Sequence, residues 1–263
     1  NPASAPSDIR WTVYTEADGL PGGGTASIRP LADGMIWVIQ AASGGSLNIF
    51  DGQSWRGTPL SDLGIQGDCS NPVQTRDGTV WLSARYVVHA FREGRWTSYR
   101  RPEVPIPSAQ NLLHESADGA LWIIGPGTEI RRVDYQTSAW SGLQGLNFHW
   151  ESPEGTQWFL SREGRVVRRD RGVWTSFGSE DGAIDAPVAL LGTRRGEVWI
   201  AGSHAGVAAT ARYQGGRWER FVHPNFAWSI DARALAETAD GSVWFGAAVD
   251  SRGPSEHRAG LLQ

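Results

Sequence analysis

The 263-residue chain has no lysine. All 24 basic side chains are arginine, set against 28 acidic ones for a formal charge of −4. So even a balance excludes a surface that holds nucleic acid by bulk charge. One cysteine, Cys69, excludes an internal disulfide and a cysteine-built zinc site. No apolar run reaches the length of a membrane-spanning helix, so no direct membrane insertion is expected. The six histidines, at 89, 114, 149, 204, 223 and 257, never fall at metal-ligand spacing, and no G-x-S-x-G elbow occurs. The sequence therefore calls for no cofactor, no metal and no catalytic residue. Hydrophobic residues make up 40% and charged ones 20%, the balance of a globular chain. No stretch shows capped helical periodicity.

What is abundant is tryptophan, 14 residues, and glycine, 33 residues. Six tryptophans share one context: Asp33-Gly34-Met35-Ile36-Trp37, Asp77-Gly78-Thr79-Val80-Trp81, Asp118-Gly119-Ala120-Leu121-Trp122, Glu154-Gly155-Thr156-Gln157-Trp158, Arg195-Gly196-Glu197-Val198-Trp199 and Asp240-Gly241-Ser242-Val243-Trp244. Their spacings of 44, 41, 36, 41 and 45 residues are those of propeller blades. A second set, Trp11, Trp55, Trp96, Trp140, Trp174 and Trp218, precedes the first in steady register. Each unit reads as an inner strand, an Asp-Gly turn, a strand bearing the first Trp, a third strand, and a fourth strand bearing the second Trp. Gly suits the turn because it tolerates positive φ. Four short antiparallel strands per unit make a blade, and the indoles are the apolar blocks between blades.

The fold expected is all-β: a six-bladed β-propeller of four-stranded antiparallel blades. The blades fall near 25–57, 68–98, 110–142, 145–177, 187–221 and 231–263. Arg10–Thr15 resembles a fourth strand and lacks a first, so this N-terminal strand is expected to close the last blade, which removes exposed sheet edges. Residues 1–9 read as a linker or processed N-terminus, and 10–263 as a single domain.

The Asp-Gly-x-x-Trp pattern, the stretch Arg212-Tyr213-Gln214-Gly215-Gly216-Arg217-Trp218, and Trp11-Thr12-Val13-Tyr14 followed by Asp18-Gly19-Leu20-Pro21 resemble the repeats of two-component regulator propellers. The chain departs from that pattern at Glu154 and Arg195, where Asp is usual, and lacks any kinase or response-regulator segment. The resemblance implies a periplasmic or extracellular domain in a sensing or surface system.

Aligning the units on their tryptophans gives equivalent inner-strand positions. Eight residues before each Trp lie Arg29, Val73, His114, Trp150, Leu191 and Ala236; eleven before lie Ala26, Ser70, Asn111, Asn147, Val188 and Arg233. Positions that vary on a repeating scaffold, several of them polar, point to a site. The ligand-binding candidates are Arg29, Asn111, His114, Asn147, His149, Trp150, Trp228 and Arg233. Asn147, His149 and Trp150 form an aromatic platform beside hydrogen-bonding groups, suited to a sugar ring. Trp150 as filler for a short preceding loop is the competing reading. His223 to Trp228 is the second cluster, expected to wall a pocket between blades five and six with the long loop that carries Arg252, Glu256 and His257. Arg29 and Arg233 suit a carboxylate or sulfate through the guanidinium fork, or an ion pair with a neighbouring carboxylate. The Arg165–Arg171 run is expected to be a solvated edge, and Cys69 a small packed residue. The function expected is non-catalytic recognition of a small polar molecule or glycan. The alternatives are a protein–protein interaction scaffold that meets its partner on the rim, and a propeller lyase or hydrolase for which His114, Glu115 and His149 are the residues to watch.

Overall fold

The computed structural model describes residues 11–21, 24–40, 44–66, 69, 72–84, 86–100, 112–125, 129–137, 139–226, 234–247 and 260–263. Among them lie six antiparallel sheets in chain order. The first holds β1 (Thr25–Pro30), β2 (Ile36–Gln40), β3 (Ser46–Phe50) and β4 (Trp55–Pro59). The second holds β5 (Val73–Gln74), β6 (Val80–Ala84), β7 (Val87–Arg92) and β8 (Arg95–Arg100). The third is β9 (Leu112–Glu115), β10 (Ala120–Ile124), β11 (Glu129–Asp134) and β12 (Ala139–Gln144). The fourth is β13 (Leu146–Glu151), β14 (Gln157–Ser161), β15 (Val166–Asp170) and β16 (Val173–Phe177). The fifth is β17 (Ala186–Gly192), β18 (Val198–His204), β19 (Val207–Gln214) and β20 (Arg217–Val222). The sixth has three described strands, β21 (Leu235–Glu237), β22 (Val243–Ala247) and β23 (Gly260–Leu262). No helix among the described residues is long and apolar enough to cross a membrane.

The turn between first and second strands is built the same way six times. In the second sheet Thr75 N donates to Thr79 O and Gly78 N to Thr75 O; the bonds recur at Leu31, Ser116, Ser152, Thr193 and Thr238. The glycine of each turn has φ between 78° and 87°, a region that L side chains seldom adopt. Where Asp precedes that glycine its carboxylate ties the loop, as Asp77 does by accepting from Thr75 Oγ1 and Thr79 N. The turn fixes the ladder register, so the residue eight before each tryptophan is its cross-strand partner: Arg29 with Trp37, Val73 with Trp81, Trp150 with Trp158, Leu191 with Trp199 and Ala236 with Trp244.

The chain divides into two compact units, Asn1–Leu113 and His114–Gln263. In the first, one seam joins the first and second sheets. Trp37 is buried there with Ile39, Leu47, Val80 and Leu82, and Trp96 and Phe91 close over its indole at 6.0 and 5.5 Å. The second unit has three seams. Trp122 and Phe159 fill the one between the third and fourth sheets, with Phe148 packed against both. Trp158, Leu190, Ile200 and Trp218 fill the next. Phe245, Ala189 and Ala201 make the third, the smallest of the three. Each seam exists because a single sheet of this size leaves both faces wet.

Trp11–Thr15, expected as the closing strand, carries no strand here. Trp11 is 87% exposed, and Tyr14 is held by ring packing on Phe50 and Trp55, at 5.0 and 5.7 Å, instead of by a ladder. The Arg165–Arg171 run also differs from a solvated edge. Arg169 turns to the third sheet, bonding Asp118 and lying 5.8 Å from the Trp122 ring, whereas Arg168 turns to the fifth and donates to Tyr213 Oη. Alternation along β15 sends the two guanidiniums into opposite seams. Cys69 is half-buried and packs on the core of the first unit.

Truncating Trp122 to alanine is expected to cost roughly 3–5 kcal/mol, the range for emptying an indole-sized core site. Gly192→Ala is expected to cost about 1–3 kcal/mol by overpacking, because its Cβ would overlap the Trp150 indole. Urea unfolding of both variants checks this; a neutral Gly192→Ala would show that Trp150 does not pack there.

Candidate functional site

Of the eight candidate residues, Asn111, Trp228 and Arg233 lie outside the described residues. The other five occupy four settings. Arg29, on β1, is exposed, and its Nε donates to Pro72 O of the second sheet at 2.9 Å. Trp150 lies on the face of Gly192 and against the core shared by the fourth and fifth sheets. Only a residue without Cβ at 192 leaves room for the indole, so the structure shows this half-buried tryptophan in a packing role.

His114 belongs to a polar cluster. Its Nε2 lies 2.5 Å from Glu151 Oε2, and its ring packs on Phe148 at 5.0 Å. Glu151 Oε1 accepts from Ser116 Oγ and from the Ala117 backbone N–H, both at 2.9 Å. Gln157 Nε2 donates to Ser116 Oγ at 2.5 Å, and Arg169 bonds both Gln157 and Asp118. Glu151 is 5% exposed. Burial alone would raise its carboxyl, but the bonds from His114, Ala117 and Ser116 outweigh that and hold it below the usual carboxylate range. A carboxylate so fully used orients the His114 ring and ties the third sheet to the fourth.

This tie recurs. Gln74 accepts from Ala32 N at 2.7 Å and Glu237 from Arg194 N at 3.0 Å, in the same positions that Glu151 and Ala117 hold. The side chain seven residues before a sheet's tryptophan thus reaches back to the turn of the preceding sheet. A Glu or Gln stands at this position in four of six units, Gln74, Glu115, Glu151 and Glu237, a recurrence visible in the sequence, and the backward bond is made by Gln74, Glu151 and Glu237. In the fifth unit the position is Gly192, and the Trp150 indole occupies the space instead.

Asn147 and His149 remain. All six residues of β13 are half-buried, and His149 is the extra residue of a bulge between Phe148, which faces Phe159, and Trp150, which faces Trp158. Bulges re-aim side chains and are frequent beside sites. Neither the Asn147 nor the His149 side chain bonds another described residue. Burial pushes the His149 imidazole down to about 4. The pair therefore offers neutral donors and acceptors.

A cavity of about 500 Å³ lies between the fifth and sixth sheets, where His223 was expected to wall a pocket. Trp199, Phe221, Val243, Phe245 and Leu262 make its apolar lining; Arg195, Glu197, Thr210, Arg212, His223, Ser242 and Gln263 make the polar part. Trp199 stacks on Phe221 at 5.9 Å and 23°. The Arg212 guanidinium lies 5.7 Å from the Trp199 ring, held by Glu219 at 2.7 Å. Thr210 Oγ1 is 3.0 Å from His223 Nε2, and burial lowers the pKa of that imidazole. The described residues hold no group of three or more His, Cys, Asp or Glu side chains placed to bind a metal ion.

Two imidazoles are shifted furthest among the described histidines. His89 is 1% exposed, and burial, with Arg100 adding to it, lowers its pKa to about 4; His149 is lowered to about 4 by burial. The unfolded chain binds these protons near 6.5, so their contribution to stability is complete above that pH and is lost as pH falls toward 4. For His89 a shift of this size is worth roughly 3 kcal/mol. Urea midpoints measured from pH 7 to pH 4.5 are expected to fall in the parent and to fall less in His89→Gln; equal slopes would contradict the assignment.

No protein-family model matches the chain, and no curated protein matches it. Among solved structures it is similar to virginiamycin B lyase from Staphylococcus aureus, with 17% identity and a TM-score of 0.49 over 84% of this chain and 77% of that one. It is also similar to the extracellular domain of BT4673 from B. thetaiotaomicron, described as a one component system, with 14% identity and a TM-score of 0.48 over 84% of this chain and 40% of that one. A third similarity is to YCF48 bound to D1 peptide, with 16% identity and a TM-score of 0.46 over 80% of this chain and 71% of that one.

Proposed function

We propose that the chain is a non-catalytic recognition domain of a sensing or surface system outside the cytoplasm, in the manner of the two-component regulator propellers that its repeats resemble. In this reading the six sheets close into a six-bladed propeller, and Arg10–Thr15 serves the last blade as fourth strand. The place of Tyr14 supports that assignment. Phe177, three residues after Trp174 at the end of the fourth sheet, packs on Tyr213 and Trp218 of the fifth. Tyr14, three residues after Trp11, packs on the equivalent Phe50 and Trp55 of the first. Tyr14 thus sits as the last residue of a preceding sheet's outer strand would.

The ligand is a small polar molecule, of the chemical class of an uncharged carbohydrate, and its site is the inner strand β13. The observation that carries this is the pairing of Asn147 with His149 on a bulged, half-buried strand, neither side chain engaged by a described residue. An amide and an uncharged imidazole exchange hydrogen bonds with hydroxyl groups without the desolvation cost of a charge. The His114–Glu151 bond, an imidazole oriented by a carboxylate, is the arrangement from which the alternative lyase or hydrolase reading would start, and turnover in the assay below separates the two.

Thermal unfolding of the full chain against a panel of neutral oligosaccharides and polar metabolites tests this. A binder is expected to raise Tm by linkage. Asn147→Ala and His149→Ala are expected to abolish that rise while Arg29→Ala leaves it intact. A rise that survives both β13 variants would move the site elsewhere, and turnover of any panel member would overturn the non-catalytic reading.

A further inference from the structure

We propose that the outward face of Trp174, on the outer strand of the fourth sheet, is a second binding site: a platform for one pyranose ring of a neutral oligosaccharide. In two seams a fourth-strand tryptophan meets the second-strand tryptophan of the preceding sheet. Trp96 lies on Trp37 at 6.0 Å, and Trp218 lies on Trp158 at 6.1 Å. The seam between the third and fourth sheets is built otherwise. Arg169 is the ladder partner of Trp174, and its guanidinium lies 5.8 Å from both the Trp122 and the Trp174 ring, in the place of that contact. Trp174 therefore stands outside the guanidinium and is 43% exposed, where Trp218 is 7% exposed. The capping side chain differs too. Trp218 is capped by Phe177, three residues after Trp174, at 6.0 Å, and Trp55 by Tyr14, three residues after Trp11, at 5.7 Å. Three residues after Trp140 stands Leu143, which has no ring and packs on the core of the seam.

An exposed indole alone is no site. This one is held in place, by Arg169 across the ladder and by Phe159 at 5.5 Å. Polar groups with unused capacity stand beside it. Asp118 Oδ2 accepts from Arg169 Nη1 at 3.0 Å and from Arg132 Nη2 at 3.2 Å. Each guanidinium spends one of its three nitrogens on its bonds, and Arg132 Nε is buried without a partner. All three side chains reach solvent. Arg132 has a second carboxylate neighbour in Asp134, so two cations face two anions and the place favours a ligand without net charge. Hydroxyl groups suit it, since they donate to a carboxylate and accept from a guanidinium. An indole face packs on the C–H face of a pyranose ring, and the two demands together describe a sugar.

The platform stands on this seam alone and does not depend on the site at β13. Calorimetric titration of the full chain with cellohexaose, maltohexaose and chitohexaose tests it. At least one of the three is expected to bind. Trp174→Leu keeps an apolar contact with Phe159 but removes the flat face, and is expected to weaken that binding about tenfold or more. Trp174→Phe is expected to restore part of the loss, Asp118→Asn to weaken binding severalfold, and Asn147→Ala to leave it unchanged. Binding that Trp174→Leu leaves intact overturns the platform; if Asn147→Ala then abolishes it, the β13 reading stands without the platform. Absence of binding by all three sugars also overturns the proposal. So does self-association of the parent that Trp174→Leu removes, because a second copy of the chain would then be what covers the indole.

Discussion

The contact of one sheet's tryptophan with the aromatic residues of the next sheet is the interaction on which the molecule depends. A four-stranded sheet of five-residue strands cannot bury either face by itself, and its indoles are too large to be covered by the strands that carry them. Trp37, Trp122 and Trp158 are almost wholly buried because another sheet lies against each. The apolar gain is thus spread along a series of seams, and no central core gathers it. Polar groups follow the same geometry. The side chain eight residues before the tryptophan meets the following sheet in three cases, Arg29 at Pro72, His114 at Glu151 and Trp150 at Gly192. The side chain seven before it reaches the preceding one, as Glu237 reaches Arg194.

This rule explains which residues were free to become a site. Arg29, His114 and Trp150 vary in type because each seam was solved differently, once by a bond to a carbonyl, once by a carboxylate and once by an indole on a glycine. Variation on a repeating scaffold therefore recorded alternative packing at these positions. Asn147 and His149 are different in kind: the bulge takes His149 out of the one-to-one ladder, and neither side chain is hydrogen-bonded to another described residue.

Much of the architecture was legible in the residues. The Asp-Gly turns, the strand count per unit and the ladder partner of each tryptophan follow from local periodicity and from glycine's access to positive φ. The paired character of His114 with Glu151 was not legible, because it joins residues 37 apart through a register that emerges only when two sheets pack. Gly192 was equally silent, since a missing Cβ matters only where an indole arrives from another sheet. Arg168 and Arg169 read as a charged edge, yet the aromatic walls on either side of β15 draw both into seams. Of the pocket expected near His223, only His223 itself lines the cavity between the fifth and sixth sheets, and Trp228, Arg252, Glu256 and His257 lie outside the described residues.

The three seams of the second unit are built differently, and among the described residues the last buries one ring, Phe245, beside two alanines. Within the second unit the described sheets meet one after another along separate seams, so cooperativity there resembles that of a short one-dimensional lattice. Solvent exchange of the β21–β23 amides would then report on the seam at Phe245, separately from the bulged strand β13, which packs at other seams.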